Sequence, residues 1–330
     1  MTVLKNVLRG LALVAACGFS GGALAQDCAN RGLLNDRFCD ANDDHLADVP
    51  TDPALLIDPD TLIFSYTPVE DPAVYEGAFQ DLLDHLAEKT GKKLRWFPAE
   101  SYSAQVEAMR SGRLHIAGVS AGAVPYAVNI AGFHPKVTMD KIDGSLGYTL
   151  QLIVPADSEI QGVEGLKGKK VAHVAPSSNS GDTAPRVIFK RMGVEPGKDY
   201  EILYSGKHDN SILGVVNGDY DAAPIASSVL ERMIERGVVE RDALRIVYES
   251  SPFPRTAYGV AHNLKPELAE AITAAFLDFD FQNSGLFEEF KDTKGFVTVD
   301  YKPDWENVVA TQVETGATYD ESGLNGLKNE

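Results

Sequence analysis

The chain has 330 residues, with 30 Lys and Arg against 48 Asp and Glu, which gives a formal net charge of -18 at pH 7. Nucleic acids and anionic membranes are bound through basic surfaces, so this acidic balance argues against both as partners. A small anion is not excluded, because backbone N–H groups and helix termini act at short range while the global field is screened beyond roughly 8 to 10 Å. The length exceeds what one compact core usually holds, which favours two lobes.

Residues 1–25 have the pattern of a cleaved signal peptide. Two basic residues precede an apolar stretch, and Ala23 and Ala25 supply the small residues of a cleavage site. No later stretch approaches the roughly 18 apolar residues that a membrane span requires. We therefore expect export to the periplasm, with lipid attachment at Cys17 as the less favoured alternative.

Residues 26–60 form an acidic N-terminal extension with little apolar periodicity. After cleavage Cys28 and Cys39 are the remaining cysteines, and in an oxidising compartment we expect them to form a disulfide that staples the extension. Four side chains have the spacing of the first part of a calcium loop: Asp40, Asn42, Asp44 and Asp48. The loop lacks the turn glycine and the distal glutamate of such sites, so we favour a solvated acidic loop and keep calcium binding as the alternative.

From residue 61 the chain alternates short strands and helices. The patterns predict strands over 62–64, 94–97 and 114–119, with helices over 72–90 and 103–111. The helix over 72–90 has its apolar residues on one face, and Gly91 follows it as a C-terminal capping glycine does. Such alternation is typical of parallel sheets covered by helices, an α/β fold.

The alternation resumes in the second half of the chain. Strands are predicted over 170–174, 201–204, 221–225 and 244–248, and helices over 183–192, 209–217, the stretch ending at 236, and 266–280. Two extended segments, 148–154 and 258–261, lack a helix beside them, and we predict that they pair as crossover strands. Lobe one then comprises 61–150 plus 256–330 and lobe two comprises 151–255, with two mixed sheets flanked by helices and a hinge at the crossovers. Ligands of open α/β sheets bind at the ends of strands, here in the cleft between the lobes.

Two loops that follow strands and precede helices could hold an oxyanion in this cleft. Ser178, Asn179 and Ser180 stand at the start of the helix that contains Pro185, where side-chain donors add to the helix dipole. An ordinary capping turn is the alternative there. His208 occupies the second loop and could donate to an anion, more favourably once protonated. We expect its neighbour Lys207 to face solvent.

Three further donors lie where strands of lobe one end. Tyr102, Ser120 and Tyr148 carry hydroxyl groups suited to a cleft, although each tyrosine could equally be ordinary packing. The stretch 65–68 is a weaker candidate. We expect no metal ligands and no catalytic residues, since the seven histidines show no ligand spacing. His115 and His173 lie in strand-like stretches and are interpreted as structural. An enzyme on the same fold is the less favoured alternative.

Together these residues resemble the periplasmic phosphate, phosphite and phosphonate-binding proteins of ABC importers. The resemblance rests on five stretches in order: residues 64–131, Ser178-Asn179-Ser180-Gly181, Gly206-x-His208, Asp219-x-Asp221-Ala222-Ala223 and Ser251-Pro252-Phe253-Pro254. It implies the two-lobed type II periplasmic-binding fold, a permease partner in the inner membrane, and a monomer that needs no cofactor. Six residues match positions that contact the oxyanion in that family: Tyr102, Tyr148, Ser178, Asn179, Ser180 and His208.

The departures from the family pattern concern the ligand's substituent. Family members that bind an aminoalkyl phosphonate place carboxylates against its ammonium, whereas the matching stretches here, 226–228 and 255–257, contain none. A buried ammonium without a counter-charge is costly. We therefore expect phosphite, phosphate or a short alkyl phosphonate rather than an aminoethyl phosphonate. Delivery of the closed form to a sensor kinase instead of a permease remains open from sequence.

Overall fold

The computed structural model describes residues 28–144 and 147–327. The expected signal peptide and Cys17 lie outside these residues. The strands are β1 Thr61–Tyr66, β2 Lys93–Trp96, β3 Ile116–Val119, β4 Phe133–Lys141, β5 Gly147–Tyr148, β6 Leu150–Pro155, β7 Lys170–His173, β8 Glu201–Tyr204, β9 Ala223–Ala226, β10 Leu244–Glu249, β11 Phe253–Pro254, β12 Ala257–Ala261 and β13 Thr293–Thr298. Within this part of the chain, no helix is both long and apolar enough to span a bilayer.

Helices follow most of these strands. They are α1 Ala73–Glu76, α2 Gln80–Thr90, α3 Tyr102–Arg110, α4 Val124–Ala131, α5 Ala184–Arg191, α6 His208–Val216, α7 Ser227–Glu235, α8 Pro266–Asp278, α9 Gly285–Glu289, α10 Tyr301–Asp304, α11 Glu306–Glu314 and α12 Glu321–Leu327. Short 3₁₀ turns occupy Pro53–Leu55, Val163–Leu166, Arg241–Ala243 and Phe281–Asn283. The predicted helix over 72–90 is interrupted at residues 77–79 and forms α1 and α2. Helix α2 ends at Gly91, which adopts the left-handed conformation.

The larger sheet has six strands in the order β13-β4-β12-β3-β1-β2. Strands β1, β2 and β3 pair in parallel, while β12, β4 and β13 pair antiparallel, which makes the sheet mixed. Its core holds large buried rings, including Phe64, Phe79, Tyr258 and Phe276. We call the part of the molecule built on this sheet lobe one.

The second sheet consists of β10-β6-β9 and of the parallel pair β7-β8, joined by a bridge from Val171 on β7 to Ala222 beside β9. Strand β6 pairs antiparallel with both of its neighbours. A separate apolar cluster that includes Leu152, Phe189 and Tyr200 fills this part of the molecule, which we call lobe two. The chain therefore adopts the two-lobed arrangement expected from its alternating pattern.

The predicted pairing of two long crossover strands is wrong in its details. The segments that pair between the lobes are the short strands β5 and β11, with Tyr148 opposite Phe253. Strand β6 continues from β5 into the middle of the second sheet, and β12 lies in the middle of the first sheet. The extended stretches were predicted as single units because a residue pattern does not show where a strand changes its partner. The limits of lobe two at 151–255 remain a prediction.

The N-terminal extension packs on lobe one beside α4 and β4. Cys28 and Cys39 form a disulfide with their Cα atoms 5.5 Å apart. Asn35 N donates to Asn129 O at 2.8 Å, and His134 Nε2 donates to Ala47 O at 2.6 Å. These two hydrogen bonds anchor the extension to α4 and β4.

Candidate ligand-binding site

A small cavity lies between the two lobes and has a water-accessible volume of about 50 Å³. The residues that line it come from both lobes: Tyr66, Val69, Tyr102, Ser120, Ala121, Gly122, Met139, Tyr148, Ser178, Asn179, His208, Ala226, Ser228, Val229, Arg232, Arg255, Thr256 and Phe290. Six of the seven residues predicted as ligand contacts are in this lining, and the seventh, Ser180, lies directly behind it. The structure thus brings the predicted residues to one place.

Several helices begin at the cavity. Tyr102 is the first residue of α3, His208 is the first residue of α6, and Ser228 lies in the first turn of α7. The loop that contains Ser120 leads into α4, and Ser178 precedes the helical turn before α5. Each helix start carries N–H groups without an intrahelical partner and the positive end of the helix dipole. Their convergence makes the cavity electropositive without requiring a basic protein.

The turn after Ser178 differs from the simple helix start that was predicted. Residues Asn179–Thr183 form one turn of π-helix, and Ser178 caps it by accepting a bond from Gly181 N at 3.2 Å. Pro185 in the first turn of α5 has no N–H group, so the carbonyl of Gly181 receives a bond from Val174 N instead, at 3.1 Å. The turn is therefore fastened to the end of β7, which fixes Ser178 and Asn179 at the cavity wall.

His208 is a neutral donor, contrary to the expectation that protonation would strengthen its role. Its Nδ1 accepts a bond from Ala226 N at 3.2 Å, and its Nε2 lies 3.2 Å from Ser178 Oγ. With Nδ1 accepting, the ring proton is on Nε2 and points toward Ser178. Burial lowers the pKa of His208 to about 3. The imidazole therefore donates as a neutral group across the physiological pH range.

The hydroxyl of Tyr148 is held as an acceptor, which leaves its own proton for a ligand. Asn179 Nδ2 donates to this oxygen at 3.4 Å. Burial raises the pKa of the Tyr148 hydroxyl, and the hydrogen bond from Asn179 offsets part of the rise. Ser180 Oγ is buried without a hydrogen-bond partner among the described residues. Across the cavity, Ser120 Oγ is buried without a hydrogen-bond partner among the described residues, and a buried hydroxyl normally has one.

Gly122 lies where the two lobes are in close contact. A Cβ atom at this position would lie 2.3 Å from Ser177 O and 2.5 Å from Asn179 N, both backbone atoms of lobe two. His208 N also donates across the lobes to Val69 O at 3.0 Å. These distances describe a closed arrangement in which the only residue that fits at position 122 is glycine.

The C-terminal segment holds the loop at residues 120–122. Trp305 Nε1 donates to Ala121 O at 3.1 Å, and Gln312 Nε2 donates to Gly122 O at 2.6 Å. Both carbonyl oxygens are therefore occupied by N–H donors of the protein. An anion beside this loop would be repelled by unpaired carbonyl lone pairs, so this arrangement favours anion binding.

A model of the family described as "ABC transporter, phosphonate, periplasmic substrate-binding protein" matches residues 64–305. The chain belongs to this family. It is 28% identical over 229 residues to the phosphate-import protein PhnD of Mycolicibacterium smegmatis, a match that covers 66% of this chain and 71% of that protein. It is 24% identical over 202 residues to the phosphonates-binding periplasmic protein of Escherichia coli, a match that covers 60% of each protein.

Solved structures of phosphonate-binding proteins share the fold. A binding protein of an ABC phosphonate transporter from Pseudomonas aeruginosa superposes with a TM-score of 0.71 at 20% identity, covering 78% of this chain and 87% of that one. PhnD1 of Prochlorococcus marinus, solved in complex with methylphosphonate, gives a TM-score of 0.70 at 18% identity, covering 78% and 99%. The type II periplasmic-binding fold inferred from the resemblance is confirmed.

Two arginines in the cavity of this family member were not predicted as ligand contacts. Arg232 on α7 and Arg255 after β11 are each 7% exposed and line the cavity beside Ser228 and Thr256. Arg232 lies in an amphipathic helix, where a charged residue normally faces water. Arg255 lies in the stretch 255–257, from which the sequence predicts only that no carboxylate faces the ligand. The weaker candidate stretch 65–68 contributes Tyr66 to the lining.

A buried ion-pair network connects Arg232 to lobe one. Its Nη2 donates to Glu70 Oε2 at 3.1 Å and to Tyr75 Oη at 3.0 Å, and its Nε lies 3.4 Å from Glu289 Oε1. Arg236 also pairs with Glu70. Burial alone would raise the pKa of Glu70, but Arg232 and the hydrogen bond from Tyr75 hold it below its usual value. The network therefore stays ionised and joins the lobes.

Lys207 was predicted to face solvent, and the structure contradicts this. Its side chain is 19% exposed, and Nζ lies 3.6 Å from Glu100 Oε2 in lobe one. The lysine therefore pairs across the cleft edge with a carboxylate that is distant in sequence. His115 and His173 are structural as predicted, since His115 Nδ1 accepts from Ile63 N and His173 lies between Asp182 and Tyr200.

The acidic loop of the extension binds its own backbone. The carboxylate of Asp40, which is fully buried, accepts from Asp44 N at 3.0 Å and from His45 N at 3.1 Å. Asp48 accepts from Ala41 N at 3.0 Å. Over residues 28–144 and 147–327, no group of three or more His, Cys, Asp or Glu side chains is arranged to hold a metal ion. The loop's carboxylates serve as turn caps in this structure.

Proposed function

We propose that this protein captures a small phosphorus oxyanion, namely phosphite, phosphate or a short alkyl phosphonate, by closing its two lobes around it. The observation that carries the proposal is the convergence of hydroxyl, amide and helix-start N–H donors from both lobes on one cavity. A tetrahedral oxyanion has several acceptor atoms directed outward, so donors must surround it to replace its water. Donors on only one lobe could not do this.

Lobe one offers Tyr102 and Ser120, and lobe two offers Ser178 and Asn179. His208 supports Ser178, because it donates to Ser178 Oγ and so leaves the serine hydroxyl proton for the ligand. Closure excludes water and thereby strengthens each hydrogen bond to the anion. Because the side-chain donors are neutral, release requires only that the lobes separate. Tyr148 lies on β5 in the connection between the lobes, so its hydroxyl would engage the ligand in step with hinge movement.

The residues beside the donors disfavour an aminoalkyl phosphonate. Ser228 and Thr256 line the cavity where an ammonium would require a carboxylate, and the cations of Arg232 and Arg255 lie next to them. An ammonium placed there would meet like charges at low dielectric, which is costly. This arrangement supports the preference for ligands without an amino group.

The proposal includes the protein's setting. Membership of the family supports a periplasmic protein that passes its ligand to an ABC permease in the inner membrane. We propose that it acts as a monomer after cleavage near residue 25, without a cofactor and without chemistry on the ligand. A sensor output would give the same ligand affinity, and co-purification with a permease would distinguish the two.

Isothermal titration of the mature protein with phosphite, phosphate, methylphosphonate and 2-aminoethylphosphonate tests the proposal. We expect micromolar or tighter binding of at least one of the first three. Ser120→Ala should weaken that binding about 10-fold or more, because one hydrogen bond to a charged group is worth roughly 1.5 to 3 kcal/mol. Ser111→Ala, an exposed serine at the end of α3, is the matched control. Tight binding of 2-aminoethylphosphonate alone would refute the ligand class.

A further inference from the structure

A groove adjoins the cavity on the side where Arg232 and Arg255 lie. Cavity and groove share four residues, Ser228, Arg232, Arg255 and Phe290, which we call the arginine end. The groove has a water-accessible volume of about 220 Å³. None of the predicted oxyanion contacts lines the groove. The site therefore has two chemically different parts, one that holds an oxyanion and one that leads outward past two cations.

The guanidinium groups of the arginine end keep donors available. Arg255 Nη1 donates to Thr293 Oγ1 at 3.3 Å, and its Nη2 donates to Asp292 Oδ1 at 3.2 Å. Arginine has five N–H groups, so these bonds account for two of them. Arg232 is more fully engaged, since its Nη2 donates to Glu70 and Tyr75 and its Nε faces Glu289. Both side chains line the cavity, and Arg255, with three N–H groups left, is the stronger candidate to bind a ligand.

The charges around the arginine end favour an anion. Four cations, Arg232, Arg236, Arg255 and Lys141, are paired with three carboxylates, Glu70, Glu289 and Asp292, which leaves one positive charge in excess. In the outer groove Glu231 is paired with Arg241, and Glu235 and Lys291 add one charge of each sign. Arg232 and Arg236 are balanced by Glu70 and Glu289. The excess therefore belongs to Arg255 and Lys141, which share Asp292, and Arg255 is the one of these two that lines the cavity.

We propose that the ligand is a phosphonate whose short substituent ends in a carboxylate, with the phosphoryl group at the Ser178 turn and the carboxylate at the arginine end. This inference rests on the proposed function and specifies its ligand. A planar carboxylate matches the fork of N–H groups on a guanidinium, which a neutral alkyl group cannot satisfy and an ammonium would repel. A carboxylate there also neutralises the excess charge.

Two ligands that differ only at the terminal group test the inference. Phosphonoacetate carries a carboxylate, and carbamoylmethylphosphonate carries a neutral amide of nearly the same shape. Titration calorimetry at fixed salt, with methylphosphonate as the reference, should show phosphonoacetate binding at least 10-fold more tightly than the amide. Equal affinities of the two, with methylphosphonate bound, would overturn this inference alone. Failure of every phosphorus oxyanion to bind would instead refute the proposed function.

The variant Arg255→Gln tests whether Arg255 causes the preference for phosphonoacetate over the amide. Asp292, its partner, is half exposed, so water can solvate that carboxylate when the arginine is replaced. We expect the preference for phosphonoacetate over the amide to fall to threefold or less in this variant. Arg241→Gln, on the surface of lobe two, should keep the full preference. A thermal melt of each variant confirms folding, and retention of a 10-fold preference in folded Arg255→Gln would contradict the assignment.

Discussion

Replacing Gly122 with alanine tests whether ligand capture depends on closure of the lobes. The added methyl carbon would lie 2.3 Å from Ser177 O and 2.5 Å from Asn179 N. Both are backbone atoms, so neither can rotate aside as a side chain could. Non-bonded heavy atoms are most stable near 3.5 Å, so the lobes would have to stay about 1 Å further apart.

That separation sets the expected loss of affinity. The bond from His208 N to Val69 O, at 3.0 Å in the closed form, would stretch to about 4 Å and be lost. An oxyanion between the lobes would likewise lose its bonds to one side. Two lost charge-assisted bonds, each worth at least about 1.5 kcal/mol, weaken binding roughly 100-fold. The backbone of Gly122 does not have a positive φ, so alanine should not impair folding.

The assay combines calorimetry with small-angle X-ray scattering. Methylphosphonate should decrease the radius of gyration of the wild-type protein, and it should do so less in Gly122→Ala. Gly77→Ala is the matched control, because a methyl group there has no atom within 4 Å and its φ is -66°. Wild-type affinity together with wild-type compaction in Gly122→Ala would refute the closure argument.

Two further predictions concern stability. Burial lowers the pKa of His208 to about 3, and of His134 and His262 to about 4, while these groups take up protons near pH 6.5 when unfolded. The free energy of unfolding should therefore fall as pH drops below about 6.5, with His208 contributing on the order of 3 kcal/mol by pH 4. Denaturant titrations of His208→Gln should show a shallower decline, and an unchanged slope would contradict this assignment. Cys39→Ser opens a disulfide with a sequence separation of 11, so it should lower the free energy of unfolding by about 3 kcal/mol. Its ligand affinity should be unchanged, because none of the extension residues that the structure describes lines the cavity; a 10-fold loss on calorimetry would contradict this.

The parts of the fold that were predictable from sequence are those whose signals are local. Strand β1 and helix α2 each carry their own apolar pattern, and Gly91 ends the helix in a conformation that glycine favours. The pairing of β5 with β11 was missed because it joins residues about a hundred positions apart. The region from α9 to α12 was not assigned to elements, since its helices are short and its buried side chains contact residues far away in sequence, as Trp305 does with Ala121.

In the candidate site, too, the features with a local sequence signal were predictable and those that depend on distant residues were not. The turn at Ser178 and the loop at His208 were found because side-chain donors at a helix start form a local pattern. The neutral state of His208 was not predictable, because it depends on complete burial and on Ala226 N. Arg232 was missed because its partner, Glu70, lies 162 residues away in sequence. A charged residue on a helix is recognised as buried only when the side chain that compensates it is known.

The hydrogen bond from Trp305 to Ala121 makes tryptophan fluorescence sensitive to the position of the loop at residues 120–122. The chain has two tryptophans, and this one is 1% exposed with its indole N–H fixed to the loop beside the cavity. A shift of that loop changes the polarity and hydrogen bonding around the ring, which are the properties that set indole emission. Ligand uptake by the unlabelled protein can therefore be followed by its ultraviolet fluorescence.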